Sequence, residues 1–130
     1  MSRLRKEIKS YMSKFRDDAK ELTAHFCISQ EFIGFKGHFP ERPVLPGVCI
    51  FQAVLCMLEE AVRERPKLKE IVSAKFFAHV TCNEEIVFTV RQLPEGSEER
   101  RVLALITNGE KKIAEIKLRV SFEVQGGTDD

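Results

Sequence analysis

From residue 3 to residue 22 the apolar positions fall three and four apart: Leu4, Ile8, Tyr11, Met12, Phe15, Ala19 and Leu22. That spacing lines one side of a helix and predicts an amphipathic α-helix over 3–22. The pattern then changes. Residues 24–35 carry the β-formers Phe26, Ile28 and Phe32 and predict a strand with imperfect alternation near Glu31. From Lys36 to Gly47 stand three prolines and two glycines, which exclude helix and regular sheet and predict a stiff loop.

Residues 47–64 predict the second helix, with Pro46 and Gly47 at its start and Pro66 past its end. Up to Leu58 its only polar side chain is Gln52, so nearly its whole circumference must be covered. Four strands follow over 71–80, 84–93, 100–107 and 111–124. Ile86, Phe88 and Val90 share one face. Ile113, Ile116, Leu118, Val120 and Phe122 lie mostly on one face, with a bulge expected near Glu115. Turns fall at Thr81–Asn83, Pro94–Ser97 and Asn108–Gly109, the last a strong hairpin signal.

This order predicts an α+β fold: a curved antiparallel sheet wrapped around one long central helix, with an extra N-terminal helix. The expected boundaries are one domain over 1–124, with a disordered tail over 125–130. The uncovered helix flank and an edge strand invite a second subunit.

Length and composition narrow the function. At 130 residues, with 43% hydrophobic and 32% charged residues, the chain suits one globular domain. Its 21 basic and 20 acidic residues give a formal charge of +1. That balance argues against a nucleic-acid or membrane-surface binder. No apolar run is long enough to span a bilayer, and the charged N-terminus lacks a signal-peptide core, so a cytoplasmic protein is expected. Charge is nevertheless uneven. Arg3, Arg5, Lys6, Lys9, Lys14, Arg16 and Lys20 outnumber Glu7, Asp17 and Asp18. Two readings fit: a solvated face, or a docking surface for an acidic partner.

Cysteines at 27, 49, 56 and 82 form no CxxC or CxxH pair, so no metal site is expected. Cys49 and Cys56, inside an apolar run, read as small buried hydrophobes in a reducing compartment.

The chemistry concentrates in residues 37–53. His38 stands on the rigid loop and is able to exchange a proton near neutral pH. The amides of Gly47 and Val48 open a helix, where they would polarise a carbonyl oxygen, and the glycine lets a ligand approach the backbone. The apolar helix would line a slot for an acyl chain. On spacing alone, a packed loop with His38 bonded to backbone fits as well.

Gly37, His38, Phe39, Pro40, Pro43, Val44, Leu45, Pro46, Gly47, Val48 and Ala53 together resemble the signature of the bacterial β-hydroxyacyl-acyl carrier protein dehydratases, a hotdog-fold family. Ala74-Lys75-Phe76 is similar to the strand that follows the helix in that family, and Cys82-Asn83-Glu84 falls at its Pro-Gly-Asp-like turn. The resemblance implies elimination of water from a 3-hydroxyacyl thioester to give the trans-2-enoyl thioester, in fatty-acid or related lipid or polyene synthesis. It implies no cofactor and no metal. His38 matches the base that removes the C2 proton, and the Gly47 amide the donor to the thioester oxygen. Val48, Phe39 and Pro46 carry over as substrate-binding positions. The implied partners are an acyl carrier protein or coenzyme A thioester and a second copy of the chain, in a dimer or a higher oligomer. His38 of one subunit would face position 52 of the other.

At position 52 the chain departs from the family, which has a carboxylate where this chain has Gln52. A carboxamide keeps the shape and hydrogen-bonds a hydroxyl or a water, but is no acid. Three outcomes are open: His38 makes both proton transfers while Gln52 positions the hydroxyl; the site hydrolyses acyl thioesters, with Gln52 placing the water; or the chain binds acyl groups or carrier protein without catalysis. Glu41 is the nearest carboxylate in sequence and reads as a solvated loop charge. Glu59 and Glu60 lie two turns beyond Gln52. His25 and His79 are able to approach the site, but strand packing or surface exposure is the expected account of each.

Overall fold

In a computed structural model, residues 3–18, 20–32, 44–94 and 99–122 are described. The order is α1 (Arg3–Lys9), β1 (Met12–Asp17), β2 (Leu22–Cys27), α2 (Gly47–Val62), β3 (Pro66–Phe76), β4 (Glu85–Pro94), β5 (Glu99–Asn108) and β6 (Lys111–Phe122). All six strands form one antiparallel sheet in the order β1-β2-β4-β5-β6-β3.

The expected helix over 3–22 is corrected. It stops at Lys9, where the Ser10 and Tyr11 amides fold back onto the carbonyls of Glu7 and Ile8. The chain then reverses into β1, pairing Met12 with Phe26 and Asp17 with Leu22. Three- and four-residue spacing cannot separate one long helix from a short helix plus a bulged strand. Here Lys14 takes a positive φ of 54° between the two halves of the β1 register. Asp18 closes the hairpin, its Oδ1 accepting from the Lys20 and Glu21 amides.

α2 begins and ends close to expectation. Pro46 is its N-cap with no side-chain cap bond, and Arg63 ends it in the left-handed conformation, its amide donating to the Glu59 carbonyl at 2.8 Å. Cys49, Ile50 and 53–58 are buried. They join one core with Ile8 of α1 and the inward residues of β2, β4, β5 and β6. Phe26 and Phe88 meet across β2 and β4 with ring centroids 4.9 Å apart.

The bulge expected near Glu115 lies two residues earlier. Ile106 faces Ala114 but Thr107 faces Lys112, so Ile113 is the extra residue, and both Ile113 and Ala114 are buried. The Ile113 carbonyl accepts from the amides of Phe77 and Ala78, turning the chain out of β3. β3 starts at Pro66, well before the expected 71, because Leu68 and Ile71 pair on β6 despite the charged residues between them. The β5–β6 hairpin turns on Gly109 (φ 61°) and Glu110. A positive φ at the first loop position alone fits a type II′ turn.

The expected tail over 125–130, most of the stiff loop and most of the turn Pro94–Ser97 lie outside the described residues.

Candidate functional site

The loop that leads into α2 is stitched to the segment leaving β3, because the Leu45 amide donates to the Val80 carbonyl at 2.8 Å. Between them opens a cleft of about 330 Å³, lined by Val44, Leu45, Pro46, Gly47, Ile50, Phe76, Ala78, His79 and Val80. Its walls are largely apolar and its floor is the first turn of α2. Pro46 caps that turn with backbone alone, the Cys49 amide returning to its carbonyl at 3.0 Å. No side chain of the cap competes for the first amides of the helix. A Cβ on Gly47 would come within 3.2 Å of Cζ of Phe76. Glycine therefore serves close approach here, and the Phe76 ring in the cleft wall is what it approaches.

Four residues one turn apart run along α2: Val48, Gln52, Cys56 and Glu60. α1 lies beside this row in the same direction. Lys9 pairs with Glu60 at 3.6 Å. Cys56 Sγ donates to the Arg5 carbonyl at 3.4 Å, and Arg5 Nε donates to Gln52 Oε1 at 2.8 Å. α1 stops short of Val48, which is 52% exposed. Gln52 thus sits at the boundary between the covered row and the open end of α2. Burial pushes the thiols of Cys49 and Cys56 up to about 11, so neither is a ready nucleophile.

Of the expected site residues, Pro46 and Gly47 line the cleft, whereas Val48, next to them at the start of α2, and Gln52, a turn farther along, are not among the residues that line it. His38 and Phe39 lie outside the described residues, as does Glu41. His79, one of the two histidines the sequence offered as able to approach the site while favouring strand packing or the surface, is exposed and lines the cleft. His25 is elsewhere. Its neighbours Ala24 and Phe26 point into the core, and it bonds Glu85 at 2.7 Å on the opposite face. That bond, with Lys14 nearby, holds the Glu85 carboxyl below its ordinary range. Arg5 was legible only as one of a row of surface charges. Phe76 was legible as part of a strand but not as a wall of the cleft.

Cys82-Asn83-Glu84 has a structural role. Asn83 takes φ 62°, and its amide donates to the Ile28 carbonyl at 2.7 Å. Glu84 accepts from the amide and hydroxyl of Thr81, at 3.0 and 3.2 Å, and from Asn108 Nδ2. The turn ties β2, β4 and β5 together beside the cleft.

Residues 14–122 match the family model of the ApeI-like proteins, described as ApeI dehydratase. The chain belongs to this family. Among curated relatives, it is 32% identical over 92 residues to the 3-hydroxyacyl-[acyl-carrier-protein] dehydratase FabZ of Bartonella bacilliformis, a match covering 65% of this chain and 60% of that protein. The chain thus spans about three fifths of the length of the curated relatives it matches. Among solved structures, the dehydratase heterocomplex ApeI:P from Xenorhabdus doucetiae superposes with a TM-score of 0.70 at 16% identity, over 85% of this chain and 96% of that one. A hypothetical thioesterase from Streptococcus pneumoniae, solved with coenzyme A, superposes with a TM-score of 0.66 at 10% identity, over 94% and 95%. These likenesses establish the α+β hotdog fold expected from the sequence. The matched stretch begins after α1, so Arg5 lies outside it. Among the described residues no helix is long and apolar enough to cross a membrane.

Proposed function

We propose that this member of the dehydratase family is a hydro-lyase. It removes water from a 3-hydroxyacyl thioester carried by acyl carrier protein or coenzyme A, in fatty-acid or related lipid or polyene synthesis. The observation that carries the reading is the cleft on the first turn of α2, where bare Gly47 lies beneath Phe76 and apolar walls suit an acyl chain. In this reading the thioester oxygen accepts from the Gly47 amide, which stabilises the enolate formed as the C2 proton leaves. His38 takes that proton. The C2–C3 double bond forms as the C3–O bond breaks, and the imidazolium returns its proton to the departing hydroxyl as water. Gln52 orients the hydroxyl. Val48, Phe39 and Pro46 line the acyl path.

A homodimer belongs to this reading. The outer edge of β3 pairs with no strand among the described residues, and Ile71, Val72, Phe76 and Phe77 are each 42–53% exposed. The opposite edge, β1, is short, charged and bulged, as edges that avoid pairing are. A second copy on β3 would cover the apolar edge and bring its own loop residues toward the cleft. An acidic carrier protein suits the basic exposed residues Arg3, Lys6, Lys9, Lys14, Arg16 and Lys20. A cytoplasmic setting, which keeps the four free thiols reduced, goes with the same reading.

A second reading, thioester hydrolysis, draws on Gln52, since a carboxamide places a water as readily as a hydroxyl and supplies no acid. One experiment separates the two. The protein is given 3-hydroxyacyl and saturated acyl thioesters, and conjugated-enoyl absorbance and free thiol are followed together. Enoyl formation that is lost in His38→Ala supports dehydration. Thiol release without enoyl overturns it in favour of hydrolysis, and neither signal leaves an acyl-binding protein.

A further inference from the structure

An arginine guanidinium only donates hydrogen bonds. The atom of Gln52 facing Arg5 Nε at 2.8 Å must therefore be the carboxamide oxygen. The amide nitrogen then occupies the other branch of the planar group, where its N–H groups are left to donate elsewhere. Among the described residues this is the hydrogen bond that Gln52 makes. Arg5 is itself held in place, since its carbonyl accepts from Cys56 one turn farther along α2, and Lys9 anchors the next turn through Glu60. The contact joins residues 47 apart in sequence and is partly buried, where a charged hydrogen bond is screened less than at the surface.

We infer that Arg5 is a positioning residue for Gln52: it occupies the carboxamide oxygen, leaves the amide N–H groups as what position 52 offers a bound thioester, and would hold a carboxylate placed there in its ionised form rather than as a general acid. The inference rests on the dehydratase reading only for the identity of the substrate.

The second half of the statement follows from charge. A carboxylate at position 52 would meet the same guanidinium at hydrogen-bonding distance, and an opposite charge that close favours the ionised form. Among the described residues, the charged groups along this flank include Lys9 on α1 and Glu59 and Glu60 on α2. Arg5, Lys9 and Glu59 already act on the Cys56 thiol one turn away. β3 brings the apolar ring of Phe76 to this end of the helix, against Phe51. Restoring a carboxylate at 52 therefore does not by itself restore an acid; Arg5 must be removed as well.

The test uses the full chain and four variants: Gln52→Glu, Arg5→Met, their combination, and Gln52→Glu with Arg5→Lys. Methionine keeps an unbranched apolar stem against α2, and thermal melting checks that each variant is folded. With 13C-labelled glutamate, the carboxyl introduced at position 52 is titrated directly by NMR. Its pKa is expected about 1–3 units lower in Gln52→Glu than in the Arg5→Met combination, with the Arg5→Lys combination between them. The pH–rate profile on a 3-hydroxyacyl thioester should gain an acid-dependent limb only in the Arg5→Met combination. Equal pKa values with and without Arg5 overturn the inference. If the Arg5→Met combination does not fold, the Arg5→Lys comparison decides, and a pKa there equal to that in Gln52→Glu overturns it. A displaced pKa in a protein that turns over no thioester upholds the role of Arg5 and counts against the dehydratase reading instead.

Discussion

Gly47 and Phe76 share one small volume: a methyl group on residue 47 would sit 3.2 Å from the ring's Cζ. The ring is 47% exposed, so it can swing aside, and alanine is a better helix former than glycine. Gly47→Ala should therefore change stability by less than about 1 kcal/mol. The displaced ring would crowd the cleft. Steady-state kinetics should show kcat/KM lowered about tenfold, equivalent to about 1.4 kcal/mol, mainly through KM. A large fall in melting temperature instead would show that the glycine serves folding.

The buried thiols give a pH prediction. Cys49 and Cys56 titrate at about 11 in the fold, whereas an unfolded cysteine titrates at about 8.5. Their folded pKa values are raised, so their contribution to stability is complete below the unfolded value. It declines as pH rises from there through the folded value. Melting temperature should fall between about pH 8.5 and about 11, and fall less steeply when both residues are alanine. Under mildly alkaline conditions, alkylation followed by mass spectrometry should modify exposed Cys27 first and leave Cys49 and Cys56 intact.

The β3 edge gives an assembly prediction. Light scattering should return twice the mass of one chain. Val72→Lys, which places a charge on an exposed strand position, should return the monomer while preserving the circular dichroism of the fold. A wild-type monomer at micromolar concentration would remove the proposed second copy from the site.

Much of this architecture can be read from local pattern, and what cannot is mostly non-local. α2 announces itself through a stretch from Gly47 to Leu58 that is apolar except for Gln52 and is set between Pro46 and Pro66, and the β5–β6 hairpin through Asn108-Gly109. The N-terminal segment misleads because Leu4, Ile8, Tyr11 and Phe15 satisfy helical spacing while the last two serve a turn and a strand. β3 is charged at Lys67, Lys69 and Glu70, since an edge strand faces water there, and so its first half reads as loop. Gly47 and Gln52 stand out by type and position. Arg5 does not, because nothing local to residue 5 points to a contact 47 residues away. His79 reaches the cleft only because Leu45 and Val80 are bonded.

The reverse reaction, hydration of a trans-2-enoyl thioester in deuterated water, tests the central claim most directly. Mass spectrometry of the product should show a 3-hydroxyacyl thioester with one deuterium at C2 and the thioester bond intact, formed by the wild-type chain and not by His38→Ala. Recovery of free acid and thiol, or of unchanged enoyl thioester, would contradict the account.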